Sequence, residues 1–497
     1  MSKLDDVFHC IAVDMGAGSI RIMLGILNEQ GISVMEAHRF DNRIIERDGH
    51  ERWEMEKIWK GILTGIDMAI DLAPSPPASI GVDSWGVDFV LLDPRGEPVD
   101  EPISYRDGRT AGMREKWSEE MDEMETFRRT GINFYTFNTL FQLLSLRDSE
   151  LLHRTARILF MPCYINYLLS GRAVNELTIS STSQILGIGG MQWDPAVLER
   201  LRLDRGLLGD VTPPGTRLDR VQLPGSGQGR VNLSGRGLTG MENIAVCGHD
   251  TACVVAAIPV TDPDYVFISA GTWCILGMES DEPLLTPEAF QLGITNERGY
   301  GDRYRVLKNI TGLWLHQGLK RHLPGDVTFG DMEQMTLQAA ESLQVLDPDD
   351  PLFYNPPDMR KAFDDFFLRS GQDPPGDFSG YIRCAYDSLC FSFRYHVEQM
   401  EHLSGKSFSV LHVVGGGSQS DYLNQRIADV CGKKVVSGPV EGATLGNILI
   451  QAIAMGRIES LEEGRKLVGV SFPVKEYHPG SISNSDEKRY QKFLTFK

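Results

Sequence analysis

The stretch Cys10–Leu27, CIAVDMGAGSIRIMLGIL, constrains this chain more than any other. An apolar run, Ile11–Val13, meets Asp14. A turn follows, Gly16-Ala17-Gly18-Ser19, and a second apolar run, Ile22–Leu27, leaves behind Arg21. Two such runs separated by a few glycine-bearing positions read as adjacent strands joined by a tight turn. Glycines let a backbone approach a bulky anion because no Cβ intervenes. Turn N–H groups and the Ser19 hydroxyl can then cradle a phosphate. Asp14, at the strand exit, is placed to hold a divalent cation against it. The same residues also fit an ordinary hairpin with a solvated acid, so the rest of the chain must separate the two readings.

A second hairpin of this kind lies in the other half. Tyr265–Ser269 turns at Ala270-Gly271-Thr272-Trp273 and returns through Cys274–Met278. Each half also has a short apolar strand that ends in an acid, at Gly81-Val82-Asp83-Ser84 and at Cys247-Gly248-His249-Asp250. This pairing predicts an internal repeat, with two related lobes facing each other across a ligand. Ile58, Ile62, Ile66 and Ile70 recur at helical spacing and predict a helix over Trp53–Leu72. Ser79–Leu92 reads as a strand, a polar turn at Trp85-Gly86 and a returning strand, Phe89–Leu92. Residues 98–240 read as elaborations of the first lobe. Val211–Gly240, rich in Gly and Pro, puts the boundary near its end and gives lobes 1–242 and 243–497. Val410–Val414 runs as a strand into Gly415-Gly416-Gly417-Ser418, ahead of a helix over Tyr422–Cys431. Gly442–Met455 reads as a helix whose small residues permit close backbone approach.

Bulk properties narrow the function. A chain of 497 residues is enough for roughly three average domains, and two large ones fit as well. A net charge of −19 argues against non-specific nucleic-acid binding, which needs clustered Lys and Arg. No run approaches the ~18 apolar residues that span a bilayer. The opening MSKLDDVFHC carries two acids before a β-like run and is no signal peptide. Eight scattered cysteines with no C-x-x-C pair fit reduced thiols and a cytoplasmic location. Monomer and homodimer both stay open.

Four motifs carry chemistry. Gly235–Gly240 matches G-x-G-x-x-G but lacks the strand before and the helix after that a dinucleotide fingerprint needs. Gly415–Ser418 is better placed, between a strand and a helix, where free N–H groups favour a nucleotide; a plain connector is the alternative. His249-Asp250 is the best catalytic pair: an Asp at a strand end can take a proton from a substrate hydroxyl. A helix N-cap is the competing job for that Asp, and His249 also fits a satisfied core histidine. Trp85-Gly86-Val87-Asp88 suits a polyol, with Trp stacking on C–H faces and Asp accepting from hydroxyls. A core Trp with a surface Asp is the alternative.

Taken together, these motifs resemble the FGGY family of carbohydrate kinases over nearly the whole chain. The residues that carry the resemblance include Gly86–Asp93, Tyr105-Arg106-Asp107 with Arg109-Thr110, and Asn138-Thr139-Leu140 with Gln142-Leu143. Further on are His249–Ala252, Gly271-Thr272-Trp273, Thr295-Asn296-Glu297, Leu307–Ile310 with Gly312–Leu315, Val414–Gly417 and Gly438–Asn447. The resemblance implies an α/β, two-lobed, actin-like (ribonuclease-H-like) ATPase fold with a central interlobe cleft. It implies transfer of phosphate from ATP, with Mg²⁺, to O1 of a ketose, L-rhamnulose. By position, Ala17, Gly18, Ser19, Ile20 and Arg21 would lie on the ATP phosphates, Thr272 and Gln317 would meet ATP, and Gly416 the adenosine. Gly86, His249, Asp250, Thr251 and Asn309 would contact the sugar. Asp250 would be the base, and Asp14 and Asp250 would handle the metal. The alternatives are a kinase for another deoxyketose such as L-fuculose, and a non-catalytic actin-like ATP or sugar-sensing switch.

Overall fold

The computed structural model describes residues 7–222, 240–260, 262, 264–339 and 343–497. Apart from Gly240, the G-x-G-x-x-G motif lies outside the described residues. The chain forms two compact units. The first comprises Met1–Pro259, Ser280–Val306 and Glu441–Ser471; the second comprises Val260–Glu279, Leu307–Val440 and Phe472–Lys497. Both are discontinuous in sequence.

In the first unit, β1 (Phe8–Met15), β2 (Ser19–Asn28), β3 (Gly31–Asp41), β4 (Ser79–Ser84), β5 (Thr216–Arg220) and β6 (Glu242–Ala245) form one sheet, ordered β5-β6-β4-β1-β2-β3. The strands β1, β2 and β3 are an antiparallel meander, while β4 runs parallel to β1 and β6 parallel to β4. Every residue of β1 is buried. A strand covered on both faces needs a continuous apolar run, which is what Ile11–Val13 supplies. The helix Met55–Leu72 turns a stripe of Ile58, Ile62, Ile66 and Ala69 inward. Each of those isoleucines contributes about 1.5–3 kcal/mol by burial. The helix stops at Ala73, which is extended because Pro74 follows.

One expected pairing is corrected. Phe89–Leu92 does not return along β4; it pairs antiparallel with Arg157–Phe160. Both edges of β4 are already taken, by β1 and by β6. Val87 adopts φ of 68°, the left-handed region, and that turn carries the chain off the sheet.

The helix Gly442–Ala454 also belongs to the first unit and packs on the helix Asp250–Ala257. A Cβ at Gly446 would lie 1.9 Å from the Cys253 carbonyl oxygen, so only glycine fits there. Gln451 secures this helix to the sheet: its Nε2 donates to the Ile11 carbonyl at 3.0 Å, and its Oε1 accepts from Ser79 at 2.7 Å.

The second unit repeats the plan. Its strands β7 (Tyr265–Ala270), β8 (Trp273–Ser280), β9 (Tyr304–Thr311), β10 (Val410–Val414), β11 (Lys434–Ser437) and β12 (Lys475–Tyr477) lie in the order β9-β8-β7-β10-β11-β12. Again a hairpin is followed by two parallel strands and an antiparallel edge. The internal repeat is therefore real, but one of its correspondences changes. The counterpart of β4 is β10, each being the parallel neighbour of its hairpin, and not the strand before Cys247–Asp250. Each unit has the mixed, ribonuclease-H-like sheet that the resemblance implied.

Candidate active site

Parallel pairing gathers acids at one end of the first unit's sheet. In the β1–β4 register Asp14 stands opposite Asp83, and Ser84 bridges to His249 just beyond β6. Strand ends of an open α/β sheet are where such folds bind ligands. Asp14, Asp83 and Asp250 thus arrive from three neighbouring strands. His249 caps the helix and Asp250 is its first helical residue, so the expected alternative of Asp250 as N-cap is corrected by one position. The Thr251 N–H donates to Asp250 Oδ1 at 2.6 Å.

The acids affect one another. Burial, then the charges of Asp14 and Asp250, push the Asp83 carboxyl well above the usual carboxylate range, against the Asn447 amide that donates to its Oδ2 at 2.7 Å. Its other oxygen is buried with no partner. Burial also raises the Asp250 carboxyl, with Asp14 adding to the shift and His249 and Arg305 opposing it. Asp14 accepts from Thr444 Oγ1 at 3.2 Å and pairs with Arg21, which also pairs with Glu441. In sequence Asp83 was visible only as an acid at a strand end, with no role at the site, because only the parallel register brings it beside Asp14.

This donor set fits magnesium. Among the described residues no three His, Cys, Asp or Glu side chains are arranged to enclose a metal ion. Mg²⁺ is ordinarily held by one or two carboxylates, with waters and substrate phosphates completing the octahedron. Carboxylates clustered closely enough to oppose each other's ionisation, one with an orphaned buried oxygen, match that chemistry.

The phosphate-turn candidates divide by exposure. Gly18 is exposed and Ala17 and Ser19 are half-buried, whereas Ile20 has no exposed surface. The turn is braced from within: Gly16 N–H donates to the Ser19 carbonyl at 3.0 Å, and the Asn42 side chain to the Gly16 carbonyl at 3.1 Å.

Behind the sugar-facing candidates lies a buried network. His249 Nδ1 is 2.9 Å from Glu297 Oε2, and Arg305 donates to the same carboxylate at 2.7 Å and to Thr251 Oγ1 at 2.8 Å. Burial raises the Glu297 carboxyl, but Arg305 and His249 outweigh it and bring it down to about 2. Glu297 was visible in sequence only as part of a motif, and nothing in the sequence singled out Arg305, which shares its strand with Lys308.

The Trp85–Asp88 turn is not the polyol clamp that its composition suggested, nor is its Asp at the surface. Asp88 is fully buried and accepts from the indoles of Trp53 at 2.7 Å and Trp85 at 3.0 Å. Gln142 and Thr139 donate to the Val87 carbonyl at 3.3 and 2.6 Å, and Arg109 donates to Gln142 at 2.6 Å. The motifs at Arg109 and Asn138–Gln142 therefore build this turn. Gly86 is the part left open: a Cβ there would stand 3.5 Å from His249 Nε2.

In the second unit, Gln317 Nε2 donates to Thr272 Oγ1 at 3.0 Å, joining two ATP candidates at the β7–β8 turn. Gly416 is exposed at the start of a short 3₁₀ turn beyond β10, and Asn309 is half-buried on β9. Among the described residues no helix is long and apolar enough to cross a membrane.

A repeated sheet of this kind, with a glycine hairpin in each unit and acids gathered at strand ends in the first, defines a protein of the actin-like fold class. Two family models match the chain: the N-terminal domain of the FGGY family of carbohydrate kinases over residues 9–253, and its C-terminal domain over 266–455. The chain belongs to the FGGY family of carbohydrate kinases. It is similar to a protein named rhamnulokinase from Pectobacterium carotovorum subsp. carotovorum (strain PC1), with 39% identity over 486 residues, 96% of this chain and 94% of the relative. A rhamnulokinase from Bacillus subtilis (strain 168) is 35% identical over 474 residues, 95% of this chain and 96% of the relative. Among solved structures, ligand-bound xylulose kinase from Lactobacillus acidophilus has a TM-score of 0.78 at 16% identity, covering 98% of this chain and 96% of that one. Plasmodium falciparum glycerol kinase with ADP has a TM-score of 0.78 at 14% identity, covering 99% and 97%. These two likenesses establish the fold.

Proposed function

We propose that this protein phosphorylates L-rhamnulose on O1 at the expense of ATP, giving L-rhamnulose 1-phosphate and ADP. The observation that carries the reading is the placement of Asp250, with its raised carboxyl, between His249 and Thr251 and near Asp14 and Asp83. The Trp85–Asp93 and Lys308–Leu315 stretches, which resemble rhamnulokinases in particular, and the relatives of that name support the choice of sugar.

Asp250 takes the proton from O1. The O1–Pγ bond forms as the bond from Pγ to the bridging oxygen of ADP breaks. A carboxylate is a weak base for an alcohol, so positioning and charge stabilisation supply most of the acceleration. Magnesium, held by Asp14 and Asp250 with Asp83 beside them, would neutralise charge on the transferring phosphates. Ala17, Gly18 and Ser19 face the phosphates, with Ile20 buried behind them; Arg21 joins them by exchanging its carboxylate partners. Thr272, Gln317 and Gly416 bind the rest of ATP. Gly86, His249, Thr251 and Asn309 hold the ketose. In this scheme residues 1–242 supply the phosphate turn and the Gly86 contact to the sugar, and residues 243–497 the nucleotide contacts together with His249, Asp250, Thr251 and Asn309. All eight cysteines are free thiols, which supports a cytoplasmic setting.

A coupled assay of ADP release against L-rhamnulose, L-fuculose and other ketoses tests the reading. Highest kcat/KM with L-rhamnulose is expected; a clear preference for L-fuculose, or ATP hydrolysis indifferent to sugar, would overturn it.

A further inference from the structure

The two side chains that flank Asp250 share one support. Arg305 has no exposed surface, and its guanidinium makes four close contacts: Nε donates to the Arg298 carbonyl at 3.1 Å, one terminal nitrogen to Thr251 Oγ1 at 2.8 Å, and the other to Glu297 Oε2 at 2.7 Å while lying 3.1 Å from His249 Nδ1. Glu297 in turn lies 2.9 Å from His249 Nδ1. Nε2 lies on the side of the Gly86 turn, 3.1 Å from Thr251 Oγ1 and 3.4 Å from Asp250 Oδ1. A carboxylate facing one ring nitrogen makes it the protonated one and so fixes the tautomer and the ring plane.

We infer that Glu297 and Arg305 are positioning residues for the ketose: through His249 and Thr251 they hold the two contacts on either side of the base. This rests on the sugar-kinase reading above. Arginine is required because its planar fork reaches a hydroxyl and a carboxylate together, whereas an ammonium presents a single point of charge. Thr251 Oγ1 accepts from Arg305, so its own proton is directed away from the guanidinium. Glu297 and Arg305 together hold the Nδ1 side of His249, which sets Nε2 beside Thr251 Oγ1 and Asp250 Oδ1. Neither Glu297 nor Arg305 touches the reacting atoms, and both act through the neighbours they lock.

The test compares Glu297→Gln, Arg305→Lys and the double variant Glu297→Gln/Arg305→Met. Glu297→Gln keeps the shape, but its amide can point a donor at Nδ1 and reverse the tautomer. Misplacing a substrate contact by about 1 Å costs roughly 100-fold, and a loss of that order in kcat/KM for the ketose is expected in both single variants. The KM for ATP stays within about twofold of wild type. Ketose binding measured by calorimetry without ATP weakens in parallel. The double variant removes both charges together, so its folding recovers relative to the less stable single variant, while ketose binding stays weak. Recovery of ketose binding along with folding would make the pair merely structural and overturn the inference. So would a Glu297→Gln enzyme with near-normal kcat/KM, or equal losses for ATP and ketose. The wild-type enzyme is run first on the ketose panel: if it phosphorylates none of them the functional reading itself fails, and if it phosphorylates one, that sugar is used for every variant.

Discussion

Replacing Asp250 with Asn separates chemistry from folding at this site. The two side chains are nearly the same size, and the amide oxygen can still accept the Thr251 N–H that now reaches Oδ1 at 2.6 Å. Loss of a negative charge in the first turn of the helix costs about 0.3–1 kcal/mol. Against that, burial and Asp14 already disfavour the ionised form, so a neutral side chain relieves some of the site's strain. The net change in stability is under about 1 kcal/mol, and for units of this size that moves Tm by no more than about 4 °C. Loss of the base costs about 10²- to 10⁴-fold in kcat, which is about 2.7–5.4 kcal/mol of barrier. The two quantities differ enough to be read independently. ADP release is followed at saturating ATP and ketose, ATP binding by calorimetry and Tm by thermal unfolding. The expected variant is folded, binds ATP nearly as well as wild type and turns over at least 100-fold more slowly, the lower end of that range. Turnover within tenfold of wild type in a folded sample would refute Asp250 as the base.

Three further outcomes follow from the same geometry. Asp83→Asn raises the Tm of the ligand-free protein at pH 8; because the folded carboxyl lies above its ordinary value of 3.8, the gain shrinks as pH falls toward that value, and a pH-independent gain would count against this origin. Gly446→Ala places a methyl 1.9 Å from the Cys253 carbonyl and costs about 3 kcal/mol or more, read as a large fall in urea midpoint; an unchanged midpoint would mean that the two helices are not packed this closely. Glu297, held near 2, contributes stability that is present above its ordinary value of 4.5 and is lost as pH falls through about 2; acid unfolding of Glu297→Gln is accordingly less steep over that interval than that of wild type.

Several parts of this protein were legible from residue order alone. Hairpins announce themselves locally: Ile11–Val13 and Ile22–Leu27 flank a glycine turn, and Tyr265–Ser269 with Cys274–Met278 do the same, so both were found with nearly their true ends. The helix Met55–Leu72 followed from isoleucine spacing and a proline stop. His249-Asp250 stood out because an Asp at a strand end can take a proton from a substrate hydroxyl, although a helix N-cap competed for the same residue. Tertiary structure decided what depends on partners distant in sequence. It sent Phe89–Leu92 to Arg157–Phe160, since β4 had no free edge, and it buried Asp88 under two indoles, where composition had suggested a sugar contact. It set Asp83 opposite Asp14, and it put Arg305 behind both Thr251 and Glu297. The difference is physical. A turn or a helix face is specified within a few residues by dihedral preference and periodicity, whereas burial and charge at a site are set by strand order, which residue spacing does not encode. Cys10–Leu27 shows both halves of this: its hairpin was determined locally, but Asp14 became part of a carboxylate cluster only when β4 and β6 lined up beside β1.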